Sequence, residues 1–196
     1  MTPEAAEFEV SVIQRLSGDR GDLSEDLKHL KFPKIHDVLD IGTGMGYFVE
    51  ACVRAGMNAY GVDVRDIYEG DRSRFKHADA RKLPFEDESF DLVFESLFFD
   101  DLFVLQKPSA YKIESIINEI HRVLRTNGIF YIHGEECPLL DPDRFECLVS
   151  AHTKQFYRKT DGTLLRPIPR FHSEEDTMAN LDKMLSELEL SCGHTN

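Results

Sequence analysis

Cysteine is scarce in the sequence, with four residues among 196, and its cysteines and histidines are dispersed along the chain. No two cysteines form a Cys-x-x-Cys pair, and the eight histidines show no paired spacing. Clustered cysteine and histidine ligands are what a disulfide framework or a structural zinc site requires. The sequence therefore predicts no metal site and reduced cysteines, which are Cys52, Cys137, Cys147 and Cys192.

Long apolar runs are also lacking. No stretch is long enough to cross a bilayer. The first ten residues, MTPEAAEFEV, lack the basic start and the apolar core of a secretory signal. We therefore expect a cytoplasmic location and no membrane partner.

Positively charged residues are fewer than negatively charged ones. The sequence has 23 lysines and arginines and 36 aspartates and glutamates, which gives a formal net charge of −13. Affinity for nucleic acid depends largely on Lys and Arg, so this balance argues against a nucleic-acid partner. Cations cluster only in residues 154–170, which we interpret as a solvated hairpin.

Short apolar segments alternate with helical patterns through the middle of the chain. In residues 111–125, isoleucine, valine and leucine recur at helical spacing and predict an amphipathic helix. A second helix is expected at 46–56. The predicted strands are 36–41, 58–64, 74–79, 89–96 and 129–134. This alternation predicts an α/β fold with a Rossmann-like, doubly wound and mainly parallel sheet.

The two ends of the chain are expected to add further elements. Apolar residues including Phe8 lie on one helical face of the N-terminal segment, and a short helix is predicted at 23–30. Towards the C-terminus we expect a helix at 141–152, a hairpin at 154–169 around Asp161 and Gly162, and a helix at 173–190.

A glycine-rich turn follows the first predicted strand. Gly42, Gly44 and Gly46 lie two residues apart, directly after Asp40. A dinucleotide fingerprint, G-x-G-x-x-G, requires its third glycine where this chain has Tyr47. The turn therefore predicts a nucleotide-like ligand but disfavours a nicotinamide cofactor.

Carboxylates end several of the predicted strands. Asp63 ends the second strand, Asp79 the third and Glu95 the fourth. The carboxyl ends of parallel strands meet at one edge of a sheet, where ligands bind. An edge so rich in negative charge repels a pyrophosphate. It suits a ligand with a ribose, an amine, an ammonium group and a sulfonium, and S-adenosylmethionine is such a ligand.

Four segments in order, VLDIGTGMGYF, YGVDV, HADARKLPFEDESFDLVFES and EIHRVLRTNGIFYI, resemble the class I S-adenosylmethionine-dependent methyltransferases, in particular the group that acts on small molecules. The resemblance covers residues 36–134. It implies a single domain, 1–196, in which 1–34 form a helical cap, 35–134 the cofactor-binding core and 135–196 a C-terminal part. The family adds a helix, a sixth strand and an antiparallel seventh strand after the fifth, so the sequence leaves the C-terminal edge of the sheet open.

The resemblance also implies roles for individual residues. Asp63 would hold the ribose, Val64 would pack on the adenine ring, and Asp79 would take the adenine amine beside Ala80. Glu95 and Ser96 would lie near the methionine part and the reacting methyl group. The residues that would frame the methionine part are Asp40, Gly42, Thr43, Gly44 and Gly46.

The acceptor would approach from segments that cover this edge. Among them we expect Phe8, Phe98, Phe99 and Asp100 to border the substrate. His133 and Glu135 follow the fifth strand and are candidates to bind or deprotonate it, although a turn with solvated acids explains Glu135 equally well. Removing residues 1–17 is then expected to spare cofactor affinity and to abolish transfer.

The main hypothesis is therefore methyl transfer from S-adenosylmethionine to a small molecule. Alternatives of the same fold are a protein or RNA methyltransferase and a non-catalytic binding module. Methyl transfer is an in-line displacement that depends mainly on alignment and on exclusion of water. A general base is needed only where the acceptor must lose a proton.

Overall fold

The computed structural model describes residues 1–18, 32–106, 110–134, 140–151 and 153–161. The expected helices at 23–30 and 173–190, the turn residue Gly162 and the candidate Glu135 lie outside them. No helix in these ranges is both long and apolar enough to span a bilayer.

A seven-stranded sheet forms the centre of the described structure. Its strands are β1 (Asp37–Ile41), β2 (Asn58–Asp63), β3 (Phe75–His77), β4 (Phe90–Ser96), β5 (Leu124–His133), β6 (Phe145–Ala151) and β7 (Lys154–Lys159). The helices are α1 (Pro3–Ser17), α2 (Tyr47–Arg54), α3 (Phe98–Gln106) and α4 (Ala110–Val123), and a 3₁₀ turn spans Arg72–Arg74.

The strand order is β3-β2-β1-β4-β5-β7-β6. The first five strands are parallel, whereas β7 is antiparallel to both of its neighbours. From β1 the chain proceeds to β2 and β3 on one side and then crosses back to β4 on the other. The crevice between β1 and β4 is thus a topological switch point, where sheets of this kind bind ligands.

Alternate residues of each central strand enter two cores on opposite faces of the sheet. In β5, Ile129 and Tyr131 join the core that also holds buried residues of α1 and α2. Phe130 and Ile132 join the core that holds those of α3 and α4. The predicted α/β fold with a doubly wound, mainly parallel sheet is confirmed, as is the apolar stripe of α4, whose Ile113, Ile116, Ile117, Ile120 and Val123 are at most 2% exposed.

The helix expected at 141–152 is wrong, because this segment contains strand β6. Phe145, Leu148 and Val149 are all buried and have helical spacing. A register shift between Cys147 and Val149 in the pairing with β7 breaks the two-residue period. A β-bulge of this kind makes a strand look helical in sequence.

The solvated hairpin expected at 154–170 is also corrected. Its first strand is β7, which pairs with the upstream β6 and lies between β5 and β6. All six of its residues are buried, including the cations. Lys154 pairs with Glu9, Arg158 with Glu146, and Lys159 with the carbonyl oxygen of Leu124. Together β6 and β7 supply the sixth and seventh strands that the sequence left open.

Candidate functional site

A cavity of about 380 Å³ opens at the carboxyl ends of β1, β2 and β4. Its wall includes the glycine-rich turn and the strand-end residues Asp40, Asp63 and Ser96. The volume lies in the range of small-molecule sites. Eight of the eleven residues expected to bind the cofactor lie on this wall, whereas Gly46, Asp79 and Glu95 do not.

The glycine-rich turn is fixed to β2 by its backbone. The amides of Gly42 and Thr43 both donate to the carbonyl oxygen of Val62, at 2.9 and 3.1 Å. Gly46, at φ +89°, precedes α2, and a Cβ there would lie 2.3 Å from the Tyr68 ring. Gly44, at φ +55°, has open space where its Cβ would be, so a ligand can approach the backbone closely.

Asp63 ends β2 with its carboxylate on the cavity wall, and the residue is 5% exposed. It accepts the amide of Gly44 at 3.0 Å and the guanidinium of Arg65 at two points, each 3.2 Å. Burial acts to raise the pKa of Asp63, but the hydrogen bonds from Arg65 and Gly44 outweigh it and hold the pKa below its usual value. The carboxylate is therefore ionised and ready to accept hydroxyl groups.

Asp79 follows β3 and has a similar partner two residues later. Arg81 donates from Nη2 to Asp79 Oδ2 at 2.6 Å and from Nε to both oxygens at 3.0 Å. Val64 and Ala80, the other residues expected at the adenine, lie on the cavity wall. Asp79 does not. A ligand amine at Asp79 would therefore share the carboxylate with Arg81 or displace it.

Two buried carboxyl groups lie at the base of the site, on adjacent strands. Burial raises the pKa of Asp40 to about 7, with Asp63 adding to the rise and the Thr43 hydroxyl opposing it. Burial likewise raises the pKa of Glu95 to about 8. Glu95 Oε2 accepts the amide of Phe98 at 2.9 Å and so caps α3, while only Asp40 lies on the cavity wall.

Comparison with known proteins identifies this arrangement. Residues 39–132 match a family model described as a methyltransferase domain. This segment, 94 of the 196 residues, therefore carries a methyltransferase domain. The expected family and its cofactor, S-adenosylmethionine, are thus confirmed.

Two curated relatives are methyltransferases by name. An uncharacterized methyltransferase, YcgJ of Bacillus subtilis, is 26% identical over 157 residues, which cover 71% of this chain and 58% of the relative. A sterol 24-C-methyltransferase of Gibberella zeae is 32% identical over 109 residues, which cover 49% of this chain and 27% of the relative. The matched part thus spans less than two thirds of either relative.

A similar fold occurs in a 1,6-didemethyltoxoflavin-N1-methyltransferase of Burkholderia thailandensis, solved with 1,6-didemethyltoxoflavin and S-adenosylhomocysteine. The two chains are 20% identical, with a TM-score of 0.53, and the match covers 81% of this chain and 80% of the other. At this identity the similarity concerns the fold.

The structure brings only some of the expected acceptor-side residues to the cavity. Phe98 lies on its wall, but Phe99 is 1% exposed and packs in the core against the ring of Phe130. Phe8 is half-buried on α1, 5.2 Å from the ammonium of Lys154. Asp100 is close to Gly134, where a Cβ would lie 2.6 Å from its carboxylate.

His133, the candidate base, ends β5 beside Ser96 of β4. Its Nδ1 lies 3.4 Å from Ser96 Oγ and 3.6 Å from Glu9 Oε1. Burial lowers the pKa of His133, and Lys154 lowers it further, whereas Glu9 opposes the change. The imidazole is therefore neutral at pH 7 and able to accept a proton.

Sequence reasoning missed several residues of the cavity wall. Arg65 is the most consequential, because it pairs with the carboxylate expected to bind the ribose. Leu97 adopts φ +58° and is 50% exposed at the wall, an unusual backbone state for a large apolar residue. The other missed residues are Met1, Ile41, Met45, Tyr47, Phe48, Val62, Ile67, Phe94 and Leu102. Only the D-x-R spacing of Asp63 and Arg65 gave a signal in sequence.

Proposed function

We propose that this chain transfers a methyl group from S-adenosylmethionine to a small-molecule acceptor. The observation that carries the proposal is the cavity at the switch point, with the ionised carboxylate of Asp63 on its wall and the open backbone of Gly44 beside it. A carboxylate in this position is suited to two ribose hydroxyls. The acidic surroundings suit the positive charges of the same ligand.

Each part of the cofactor has candidate residues. Asp63 would accept the ribose hydroxyls, Val64 and Ala80 would border the adenine, and Asp79 would receive the adenine amine beside Arg81 or in its place. The turn from Gly42 to Gly46, with Thr43 in it, would frame the methionine part, and Asp40 would face its ammonium group. When bound, the cofactor supplies an electrophilic methyl group on a cationic sulfur.

The buried acids at the base of the site couple binding to pH. Asp40, with its pKa at about 7, is partly protonated at neutral pH. A cation in the cavity favours the ionised carboxylate and lowers its pKa. Binding of a cationic ligand therefore releases protons, and affinity rises with pH between about 6 and 8.

A small acceptor is favoured by the size of the cavity and by the charge of the chain. The cavity measures about 380 Å³, and the net charge of −13 disfavours a phosphodiester. The Burkholderia neighbour, whose fold is similar, holds 1,6-didemethyltoxoflavin together with S-adenosylhomocysteine. Phe98 and Leu97 would give the acceptor an apolar wall.

Calorimetry with S-adenosylmethionine, S-adenosylhomocysteine and NAD tests the cofactor. We expect both sulfur nucleosides to bind and NAD not to bind. Transfer of a labelled methyl group into a metabolite extract then tests the activity and captures the acceptor. Affinity for NAD alone would refute the cofactor assignment, and labelling of added RNA in preference to small molecules would refute the acceptor class.

A further inference from the structure

A buried polar cluster lies beneath α1, apart from the glycine-rich turn. We call it the Glu9 cluster, and it consists of Glu9, Tyr131 and Lys154. The Glu9 carboxylate, on a residue only 1% exposed, accepts hydrogen bonds from the Tyr131 hydroxyl and the Lys154 ammonium. Lys154 Nζ is also 3.3 Å from Tyr131 Oη. Burying an ion pair costs solvation energy, and the hydrogen bonds of three elements hold this one in a fixed place.

The Glu9 cluster is connected to the cavity through two strand ends. Glu9 Oε1 lies 3.6 Å from His133 Nδ1, and the same nitrogen lies 3.4 Å from Ser96 Oγ. Ser96 is opposite His133 in the sheet register and lies on the cavity wall. A continuous series of polar atoms therefore runs from the cavity through Ser96 and His133 to Glu9.

The two partners of His133 Nδ1 suit the two protonation states of the ring. An unprotonated Nδ1 accepts the Ser96 hydroxyl, whereas a protonated Nδ1 donates to the Glu9 carboxylate. Both distances exceed those of ordinary hydrogen bonds, and contacts of this kind commonly shorten when a site is filled. Glu9 is thus placed to stabilise the imidazolium that forms when His133 accepts a proton.

Charged groups face His133 from several elements. The Glu9 carboxylate comes from α1, the amino group of Met1 from the residues before α1, the Lys154 ammonium from β7 and the Asp100 carboxylate from α3. The two carboxylates favour the imidazolium, and the two cations disfavour it. Neutralising Glu9 and neutralising Lys154 should therefore affect His133 in opposite directions.

We propose that Ser96 and His133 accept the proton of the methyl acceptor, and that Glu9, held by Lys154 and Tyr131, is the positioning residue for His133. This inference rests on the proposed function and narrows its substrate to acceptors whose nucleophilic oxygen or nitrogen carries a proton. The acceptor O–H or N–H bond breaks and its proton passes through Ser96 to Nδ1. The electron pair left on the acceptor forms the new bond to carbon, the carbon–sulfur bond breaks, and its electrons remain on sulfur as a neutral thioether.

The first experiment follows the His133 ring by NMR titration of the full chain. We expect the midpoint to fall in Glu9→Gln and to rise in Lys154→Met. The matched control is Glu7→Gln, on the same helix, whose carboxylate is exposed and pairs with Arg54. The control should leave the midpoint unchanged. Shifts in the same direction in the two cluster variants, or no shift in either, would overturn the inference.

The second experiment measures labelled methyl transfer into a metabolite extract over pH 6–9, alongside calorimetry with S-adenosylhomocysteine. Glu9→Gln should lose transfer by about tenfold or more, the size of a general-base contribution. Its affinity for S-adenosylhomocysteine should stay within about threefold of wild type. Transfer in Glu9→Gln equal to that in Glu7→Gln would overturn the role of Glu9.

Two further comparisons distinguish a folding defect from loss of the proton transfer through Ser96 to His133, which we call the relay. If Glu9→Gln is the only variant that fails to bind S-adenosylhomocysteine, Ser96→Ala tests the proton transfer instead. This substitution leaves the Glu9 cluster intact. Retained binding with lost transfer supports the relay, and full transfer in Ser96→Ala overturns it. If the wild type itself binds neither sulfur nucleoside, the proposed function fails and this inference with it, whereas failure of the variants alone affects only the relay.

Discussion

The ionised carboxylate of Asp63 accepts hydrogen bonds from several donors, and a ligand can displace one of them, Arg65. The Gly44 amide belongs to the backbone of the turn, while Arg65 reaches in with a side chain that is 58% exposed. A ribose can compete with such a side chain more easily than with a backbone amide. Changes at Asp63 and Arg65 should therefore have opposite effects on cofactor binding.

Asp63→Ala should weaken binding of S-adenosylhomocysteine at least about tenfold, because each hydrogen bond to a charged group contributes about 1.5–3 kcal/mol. Calorimetry measures the affinity and circular dichroism the fold. Asp66→Ala is the matched control, since its exposed carboxylate pairs only with the exposed Arg72 among the described ion pairs. Equal affinities of the two variants would place the ribose elsewhere.

Arg65→Ala should strengthen binding of S-adenosylhomocysteine by up to about fivefold. The ligand then no longer has to displace an ion pair whose Arg65 end is open to solvent, and about 1 kcal/mol corresponds to this change in affinity. Calorimetry at low and high salt measures the effect, which should diminish as salt screens the pair in the wild type. Weaker binding would show that Arg65 contacts the ligand directly.

At the scale of elements, α1 belongs to the core as much as to the acceptor side. Ala6, Val10, Val12, Ile13 and Leu16 are at most 4% exposed, and Glu9 binds Lys154 of β7. Removing residues 1–17 would expose this core and leave the Lys154 cation without its buried partner. The expectation that such a truncation spares cofactor affinity therefore gives way to a prediction about stability.

Leu16→Ala should lower the free energy of unfolding by about 2–5 kcal/mol, the usual result of emptying a buried leucine site. Gln14→Ala, on the exposed side of the same helix, should change it by less than about 0.5 kcal/mol. Urea denaturation compares the two. Similar stability of both variants would mean that the packing of α1 contributes little to the stability of the core. Removing residues 1–17 would then again be expected to spare cofactor affinity and to abolish transfer.

At the scale of the whole molecule, stability depends on pH because the site buries two carboxyl groups. In the unfolded chain these groups would ionise near pH 4. Asp40 and Glu95 retain protons in the folded state up to about pH 7 and about pH 8. Between pH 4 and 8 the folded state thus binds more of their protons than the unfolded state does. The contribution of both groups to stability therefore falls as pH rises through this range.

Protonation of His121 and His133 changes the pH dependence of stability in the opposite direction. Burial lowers the pKa of each, so stability rises as the unfolded chain loses its histidine protons near pH 6.5. Above that pH the two carboxyl groups dominate. We expect urea denaturation without cofactor to show a loss of stability on the order of a few kcal/mol from pH 6.5 to 8.

Asp40→Asn should flatten this dependence and raise stability at pH 8, while weakening binding of the cationic cofactor. A wild type whose stability is constant from pH 6.5 to 8 would contradict the buried-acid account. So would an unchanged pH dependence in the Asp40→Asn variant.

The sequence alone determined the central sheet, because its strands are short apolar runs and α4 has a regular stripe. It also determined the glycine-rich turn and the carboxylates at strand ends, since Asp40 and Asp63 are placed by local spacing on elements whose carboxyl ends converge. Four motifs in order were sufficient to indicate the family and its cofactor.

Only the tertiary structure decided the C-terminal edge and the partners of the site. Strand β6 looked helical because its bulge shifts the apolar period, and only pairing with β7 establishes it as a strand. Lys154 looked solvated because a run of cations usually is, whereas burial beside Glu9, 145 residues away in sequence, gives it a partner. Such contacts depend on the packing of distant segments, and local spacing contains no record of them.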